Sequence, residues 1–386
     1  MKQSLSEILE RVKNSKYFCL LNPNGYRNGF PLVVGVGDTS VLWEHLADKS
    51  VGTYFGFLSY DFKNELFEGL SSNHIDWQRF PSSTFFKAKE LFNRDDLIDD
   101  LDANNISLPE VRFDAKVDRE SYVSTVNEIR EDILNGDVYE LNYCIPFVAD
   151  FVELDPVLLY KKLNGVSPMP FSCLLKLDSC WLICASPERY AKKKGREIIS
   201  QPIKGTIKRG KTKKEDEYLV DQLKFSEKEQ AENLMIVDLV RNDFNRCCTP
   251  TTVHVDELFG VYDFPQVHQM VSTISGELED KETVKTLVEK TFPMGSMTGA
   301  PKLKALELIE KYEVAKRGIF SGAVGYINET NDTDFNVVIR SLMYNQKTKK
   351  LSFMVGSAIT FDSDPEKEYE ECLLKASAIM KCFEKK

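Results

Sequence analysis

The sequence predicts an α+β fold in which strands and helices form separate groups along the chain. Strand-like runs of apolar residues cluster between long amphipathic helical patterns. No strict strand–helix–strand alternation occurs, as a doubly wound parallel sheet would require. The 386 residues, 42% hydrophobic and 28% charged, have an ordinary globular composition and could form two domains or one large one.

Residues 1–115 contain short strand-like runs separated by polar turns. The runs are Tyr17–Leu21, Leu32–Val34 and Thr53–Tyr60, with a possible helix at Thr39–Ala47. The segment Asp95–Asn105 is rich in Asp and Asn, a composition typical of surface loops. We therefore expect a boundary near the end of this N-terminal segment.

Stronger patterns begin near Asp118 and continue through residues 118–386. The helical pattern Ser121–Asn135 ends at Gly136, which suits the left-handed conformation common after a helix. Other helical patterns are Ser226–Asn242, Pro301–Tyr312 and Pro365–Phe383. Strand patterns are Val138–Phe147, Ser172–Ala185, Gly322–Ile327, Val337–Met343 and Leu351–Thr360.

Charge and cysteine usage exclude several classes of function. The net charge of −10 argues against binding to nucleic acid or to an anionic membrane surface. The 9 cysteines form no C-x-x-C pair, so buried thiols in a reducing compartment are expected rather than disulfides or zinc. The sequence shows no secretory signal pattern and no apolar stretch long enough to span a membrane. We expect a cytoplasmic protein.

Two helix starts carry pairs of glutamates. Glu229 and Glu232 lie three residues apart after the candidate cap Ser226, and Glu368 and Glu371 repeat this spacing. Each pair shares a helix face, and two such faces could hold a hard dication such as Mg²⁺. Acidic first turns also complement helix dipoles, and the pattern alone favours that explanation.

For four other features, the pattern alone does not require a functional role. The loop Pro293–Pro301 leads into a helix, where its amides could bind an anion or simply form a turn. Lys204 could be an ordinary exposed charge. Arg340, inside an apolar strand pattern, needs either a protein partner or an anionic ligand. His268 has no metal-ligand companion, so a hydrogen-bonded core position is typical.

Seven segments, in order, resemble the motifs of the chorismate-utilising enzymes. They are Ala185–Glu188, Pro202–Thr206, Ala231–Asp243, Gly295–Lys302, Arg317–Tyr326, Asp334–Arg340 and Asp362–Pro365. The resemblance covers roughly residues 118–386, whereas residues 1–115 match only loosely. It implies a four-layer α/β/β/α sandwich with two facing antiparallel-rich sheets, as in anthranilate synthase component I. Residues 1–115 would belong to the same sandwich, and 118–386 would be the chorismate-binding catalytic region.

The resemblance also assigns roles to site residues. Glu232 and Glu371 would hold Mg²⁺ against the substrate's ring carboxylate, with Glu229 and Glu368 supporting them. This reverses the explanation that the helix pattern favours. Glu188 matches the general acid that protonates the departing C4 hydroxyl, which requires a raised pKa.

Substrate binding is assigned by the same resemblance. The residues that would hold substrate carboxylates are Thr298, Gly299, Ala300, Arg340 and Gly356. His268 would line the site.

Two positions distinguish members of this family. Lys204 stands where the aminodeoxychorismate synthases carry lysine and anthranilate synthases carry alanine. The resemblance implies that its amine adds at C2 before ammonia attacks C4. This lysine must be neutral to attack, so we expect Mg²⁺, Lys208 or Arg209 to lower its pKa. Glu140 aligns with the lysine base that activates water in isochorismate synthases. A glutamate cannot easily replace that lysine, so the use of water as the nucleophile is disfavoured.

These features favour aminodeoxychorismate synthase component I, which forms 4-amino-4-deoxychorismate in folate precursor synthesis. Its ammonia would come from a glutamine amidotransferase subunit, because the sequence shows no glutaminase nucleophile motif. Anthranilate synthase component I is the alternative. An inactive chorismate-binding subunit is disfavoured by intact Glu188, Lys204, Glu232 and Glu371. Two residues depart from the family pattern. Phe320 stands where many members have tyrosine, so a hydroxyl group is lost, and Ala358 replaces a glycine, which tightens the loop after Gly356.

Overall fold

A computed structural model describes residues 2–46, 51–104 and 106–384 of the chain. Its α-helices are α1 Leu5–Val12, α2 Lys63–Leu66, α3 Arg119–Leu134, α4 Pro156–Val166, α5 Lys213–Lys224, α6 Glu227–Asn245, α7 Val284–Thr291, α8 Lys302–Tyr312 and α9 Pro365–Met380. None of the helices in these ranges has both the length and the apolar character needed to cross a membrane.

The strands up to residue 201 are β1 Gln3–Ser4, β2 Tyr17–Asn22, β3 Val33–Gly37, β4 Ser40–Val41, β5 Tyr54–Leu58, β6 Ser83–Lys87, β7 Glu90–Asn93, β8 Leu97–Ile98, β9 Asp114–Ala115, β10 Glu140–Ala149, β11 Phe171–Leu177, β12 Cys180–Ser186, β13 Arg189–Lys194 and β14 Glu197–Gln201. The later strands are β15 Ile203–Lys208, β16 His254–Asp263, β17 Val267–Glu277, β18 Gly299–Ala300, β19 Ala323–Ile327, β20 Thr333–Asn336, β21 Ser341–Asn345 and β22 Lys350–Ile359.

The strands form two large antiparallel sheets. The first has the order β18-β10-β22-β21-β12-β11-β2-β3-β7, with β9 also paired to β10. The second has the order β15-β17-β14-β13-β20-β19-β5-β6-β4, with β16 also paired to β17. The small parallel pair β1–β8 lies apart from them. Strands from the first 115 residues therefore lie in both large sheets.

Hydrophobic packing arranges these sheets and helices in four layers. One apolar cluster joins α1, α3, α4, α8 and α9 to the outer face of the first sheet, where Leu20 and Ile183 point outward. A second fills the space between the sheets, where Cys19 and Leu182 meet Phe55 and Phe57. A third packs α6 against the second sheet. The predicted α/β/β/α sandwich is confirmed.

Three sequence-based element predictions need correction. The run Ser172–Ala185 is two strands, β11 and β12, joined by a turn at Asp178, whose φ is 56°. The run Val337–Met343 is interrupted at Arg340, which has a φ of 53°. The helix predicted at Thr39–Ala47 is wrong, because β4 and one 3-10 turn occupy residues 40–45; Ala47 lies outside the described residues.

Candidate functional site

The two glutamate pairs lie on α6 and α9, and each helix begins at a side-chain cap. The Ser226 hydroxyl accepts a hydrogen bond from the Glu229 amide at 3.4 Å. The Asp364 carboxylate accepts from two amides of the first turn of α9, whose first residue is proline. These caps satisfy amides that a helix start leaves free. They also fix where the glutamates of each following turn point.

The four carboxylates face a shared region rather than separate patches of solvent. Burial raises the pKa of Glu229, and the negative charges of Glu371 and Glu368 raise it further. Burial likewise raises the pKa of Glu232, as does the charge of Glu229. Carboxylates from two helices therefore repel each other across this region, and an added cation would relieve that repulsion.

Lysines supply the positive charge in this region. Lys228 lies 3.7 Å from Glu232 and its side chain is 59% exposed. Lys375 lies 2.7 Å from Glu371 and also donates to the Gly356 carbonyl at 2.7 Å. Burial would raise the pKa of Glu371, but the Lys375 ammonium lowers it below its ordinary value.

Mg²⁺ fits this group of side chains by donor chemistry. Carboxylate oxygens are the ligands that Mg²⁺ prefers, and it needs only one or two of them. Within the described residues, however, no three His, Cys, Asp or Glu side chains lie close enough together to form a metal cage. Lysine ammonium groups lie beside two of these carboxylates, those of Glu232 and Glu371. A dication would take the place of Lys228, whose exposed side chain is free to withdraw.

Lys204 lies at the point where the edges of the two sheets meet. It is on β15, the edge strand of the second sheet, and Glu140 is on β10 of the first sheet. The Nζ atom of Lys204 donates to Glu140 Oε1 at 2.6 Å and lies 3.9 Å from Glu232. The structure therefore brings the proposed nucleophile against a proposed metal ligand.

Lys204 was expected to have a lowered pKa and a neutral amine, but the surrounding groups raise its pKa. Burial lowers its pKa, but the carboxylates of Glu140 and Glu232 outweigh burial and raise the pKa above its ordinary value. Arg209 does not counteract them, because its guanidinium is paired with Asp216 at 2.6 Å. The expectation that Arg209 lowers this pKa is wrong in this arrangement, and the protein groups alone favour the ammonium form.

Glu188 has the environment expected of a general acid. It is 4% exposed, and Ser296 donates a hydrogen bond to Oε1 at 2.6 Å. Burial raises its pKa from 4.5 to about 7, although Ser296 and the nearby Lys204 charge lower it. A carboxyl group with this pKa is partly protonated at neutral pH and can donate a proton.

The loop before α8 pairs with the strand that carries Glu140. Gly299 and Ala300 form β18, opposite Leu141 and Glu140 of β10. The Thr298 amide donates to the Gly295 carbonyl at 3.1 Å and its carbonyl accepts from Asn142. The amide of Thr298 is therefore engaged within the protein, so its proposed contact with a carboxylate would require the loop to open.

Arg340 is half-buried at the break between β20 and β21. Burial lowers its pKa, and the charge of Glu371 opposes this effect. No ion pair or hydrogen bond to its guanidinium occurs in the described part of the chain. A half-buried cation that pairs with none of the described residues favours an anionic ligand over the alternative of a protein partner.

The structure does not place His268 among these side chains. Its two ring nitrogens lie 2.7 Å from Asp263 and 2.9 Å from Asp216, so neither is free for a ligand. Its predicted contact with substrate stays a prediction without structural support. The next residue, Gln269, points to the other side of β17, toward Thr206 at 3.4 Å. Its amide oxygen is buried and has no hydrogen-bond partner among the described residues.

Sequence reasoning compared Glu140 only with the lysine base of isochorismate synthases, without giving it a role of its own, and gave Gln269 no role. Glu140 had a recognisable signal, because it is a charged residue at the start of a strand whose ten residues are all buried. Gln269 could have been found by alternation, since it lies beside His268 and so faces the opposite side of its strand.

Comparisons with known proteins agree with the fold and the motifs. A family model described as "chorismate binding enzyme" matches residues 38–381. The aminodeoxychorismate synthase component 1 of Escherichia coli (strain K12) is 34% identical over 88% of this chain and 71% of that protein. The probable chloroplastic aminodeoxychorismate synthase of Oryza sativa subsp. japonica is 41% identical over 72% of this chain. This chain covers only 31% of the rice protein.

Solved structures show the same architecture. The anthranilate synthase component I of Streptococcus pneumoniae TIGR4 superposes with a TM-score of 0.77 at 24% identity, over 95% of this chain and 92% of that one. At this level of identity the likeness concerns the fold alone.

Proposed function

The chain belongs to the chorismate binding enzyme family, and from this premise we propose that it replaces the C4 hydroxyl of chorismate with an amine. The product would be 4-amino-4-deoxychorismate, so the chain would be component I of an aminodeoxychorismate synthase. The observation that carries the proposal is the Lys204 amine, on a side chain that is 11% exposed and 3.9 Å from Glu232.

Lys204 and Glu188 would divide the chemistry of hydroxyl removal. The Lys204 amine, once neutral, attacks C2 of the ring while the C4 hydroxyl leaves. Glu188 gives its proton to that hydroxyl, which departs as water. The raised pKa of Glu188, about 7, supports this assignment because a lower value would leave no proton to give.

We propose Mg²⁺ as the cofactor, held by Glu232 and Glu371 with Glu229 and Glu368 behind them. When bound, Mg²⁺ would supply positive charge that holds the ring carboxylate and favours the neutral amine of Lys204. Lys228 would then withdraw from Glu232.

Arg340 would bind a substrate carboxylate, because its guanidinium lacks a partner among the described residues. The backbone at Gly299, Ala300 and Gly356 would also hold substrate carboxylates, and the Thr298 amide would join them when the loop opens. These contacts hold the substrate in place while the ring reacts.

We propose that ammonia comes from a glutamine amidotransferase partner. The E. coli relative carries the name "component 1", which supports a second component. The product would enter folate precursor synthesis. The cytoplasmic location expected from the sequence stays a prediction.

Product identification tests the proposed function directly. The protein is mixed with chorismate, Mg²⁺ and an ammonium salt at mildly alkaline pH, and the product is identified by mass and NMR. We expect a non-aromatic amine that keeps the pyruvyl ether, and no turnover when a chelator replaces Mg²⁺. Fluorescent, aromatic anthranilate would instead identify an anthranilate synthase component I, and unconsumed chorismate would contradict both.

The covalent route makes a separate prediction for Lys204→Ala. Amination should slow by on the order of a hundredfold or more, because the nucleophile is gone, while chorismate still binds. Turnover is measured by product formation and binding by calorimetry. The exposed lysine variant Lys194→Ala serves as the charge-matched control. Unchanged turnover in Lys204→Ala would exclude the covalent adduct.

A further inference from the structure

Glu140 is a buried carboxylate in a place where its charge is costly. It begins β10, whose remaining residues carry no charge, and it is 1% exposed. A carboxylate that has lost its water needs hydrogen-bond donors from the protein or from a ligand. The environment of each of its two oxygens therefore has to be explained.

The two oxygens of Glu140 differ in what they bind. Oε1 accepts from the Lys204 ammonium at 2.6 Å. Oε2 is fully buried and has no hydrogen-bond partner among the described residues. An ionised carboxylate oxygen can accept more than one hydrogen bond, so Oε2 is an open acceptor beside the reacting amine.

The backbone holds this open oxygen in place. Glu140 is paired with Ala300 of β18, and the neighbouring Tyr139 amide donates to the Ala300 carbonyl at 2.7 Å. On the other side, the Lys204 carbonyl accepts from Asn233 at 3.3 Å. The main chains of both ion-pair partners are thus fixed, and the 2.6 Å bond between their side chains holds the Glu140 carboxylate in its orientation.

The surrounding negative charge favours a cation or an N–H donor beside Oε2. Lys204 is surrounded by Glu140, Glu232 and Glu371, all of which favour positive charge nearby. An N–H donor gains from this field, whereas an anion is repelled. Ammonia, which is ammonium when protonated, is the smallest ligand with this chemistry.

We propose that Oε2 of Glu140 is the receiving site for ammonia. This inference rests on the proposed function and deepens it by naming where the second reactant binds. Ammonia donates one N–H to Oε2 and keeps its lone pair directed at the ring. Glu140 is then a catalytic residue, because it contacts a substrate of the reaction.

The atoms and electrons of the second step balance with this placement. Ammonia forms the C4–N bond, the C2–N bond to Lys204 breaks, and that electron pair returns to Nζ. The extra proton on the new C4 ammonium passes to the Glu188 carboxylate, which lost a proton to the departing hydroxyl. Glu188 is thereby restored to its acid form, and Glu140 is unchanged.

The test measures the ammonium dependence of Glu140→Gln and Glu140→Asp in full-length protein with saturating chorismate and Mg²⁺. We expect the KM for ammonium to rise about ten- to a hundredfold in Glu140→Gln, as for the loss of a charge-assisted hydrogen bond. Glu140→Asp keeps the charge but moves the carboxylate oxygen away from the ammonia. Its KM for ammonium should therefore lie between those of the wild type and Glu140→Gln. Glu128→Gln, on the exposed face of α3, controls for the loss of one charge.

A second readout separates ammonia binding from a role as counter-ion to Lys204. Without ammonia, intact-protein mass should show the adduct of chorismate minus water on both wild type and Glu140→Gln. An adduct missing from the variant, or an ammonium KM equal to that of wild type, would overturn the inference. Failure of the proposed function looks different, because the wild type itself would then make no aminodeoxychorismate at any ammonium concentration.

Discussion

At the residue scale, the raised pKa that suits Glu188 to its proposed role as an acid also lowers the stability of the folded protein. The Glu188 pKa of about 7 in the folded protein lies well above its ordinary 4.5, first because the side chain is buried. The folded protein therefore binds more protons than the unfolded chain between these two pH values. Stability falls as pH rises through this window, and the whole cost is present above pH 7.

We expect Glu188→Gln to be more stable than the wild type at pH 8 and equally stable at pH 4. The gain at pH 8 should be about 3 kcal/mol, since each unit of pKa shift corresponds to about 1.4 kcal/mol. The free energy of unfolding is measured in urea at several pH values. A gain that did not depend on pH would contradict the assigned pKa, and the variant should also lose amination because glutamine cannot donate the proton.

The same scale shows how far single residues could be predicted. The motifs identified Lys204 and Glu188, and the structure places Lys204 against Glu232. The protonation of Lys204 could not be predicted, because the carboxylate that holds its charge, Glu140, is 64 residues away in sequence. His268 was assigned to the site by the resemblance, whereas the strand's alternation turns Gln269 toward β15 instead.

At the element scale, the loop before α8 depends on Gly299. Its φ is +148°, and a Cβ at this position would lie 2.1 Å from the Glu140 carbonyl oxygen. This contact joins β18 to β10 at the residue that bears the open carboxylate oxygen. Any side chain at this position has to push β18 away from β10.

We expect Gly299→Ala to lower the free energy of unfolding by about 2 kcal/mol or more and to raise the KM for chorismate. The first effect comes from a clash with backbone that cannot rotate away. Gly136→Ala is the control, because that glycine also has a positive φ, +82°, but no atom lies within 4 Å of its added Cβ. Equal losses in the two variants, measured in urea, would show that only backbone strain matters.

Helices and strands were predicted correctly where the hydrophobic pattern extends over many residues. The prediction failed where a turn interrupts an apolar run. The patterns at Pro301–Tyr312 and Pro365–Phe383 correspond closely to α8 and α9. The strand Val337–Met343 is interrupted because Arg340 adopts a left-handed conformation that nothing in its residue type announces. Such a break depends on tertiary contacts, which local patterns do not contain.

At the scale of the whole molecule, composition and periodicity predicted an α+β fold. Only the resemblance of the motifs predicted the four-layer arrangement. The reason is that the sheets join distant segments, such as β2 with β11 and β5 with β19. No local pattern encodes these pairings. The division at residues 115–118 stays a prediction, since strands from both parts share each sheet.

One buried ion pair connects the two sheets with the loop of the site. Arg317 is 2% exposed and lies 2.6 Å from Glu313. It also donates to the carbonyls of Met297 at 2.7 Å and Asn142 at 2.9 Å. Its guanidinium stacks over the ring of Tyr60, 4.4 Å from the centroid. The loop, the first sheet and the segment after β5 thus meet at one cation.

We expect Arg317→Met to cost about 3–5 kcal/mol of stability, because it leaves the Glu313 carboxylate buried without its partner. The double variant Arg317→Met/Glu313→Leu should recover part of this loss, since both charges are then gone. The exposed pair Arg119–Glu366, with side chains 54% and 58% exposed, gives the contrast. Arg119→Met should cost less than about 1 kcal/mol. If urea unfolding gave similar losses for Arg317→Met and Arg119→Met, Arg317 would not be what holds the sheets and the loop together.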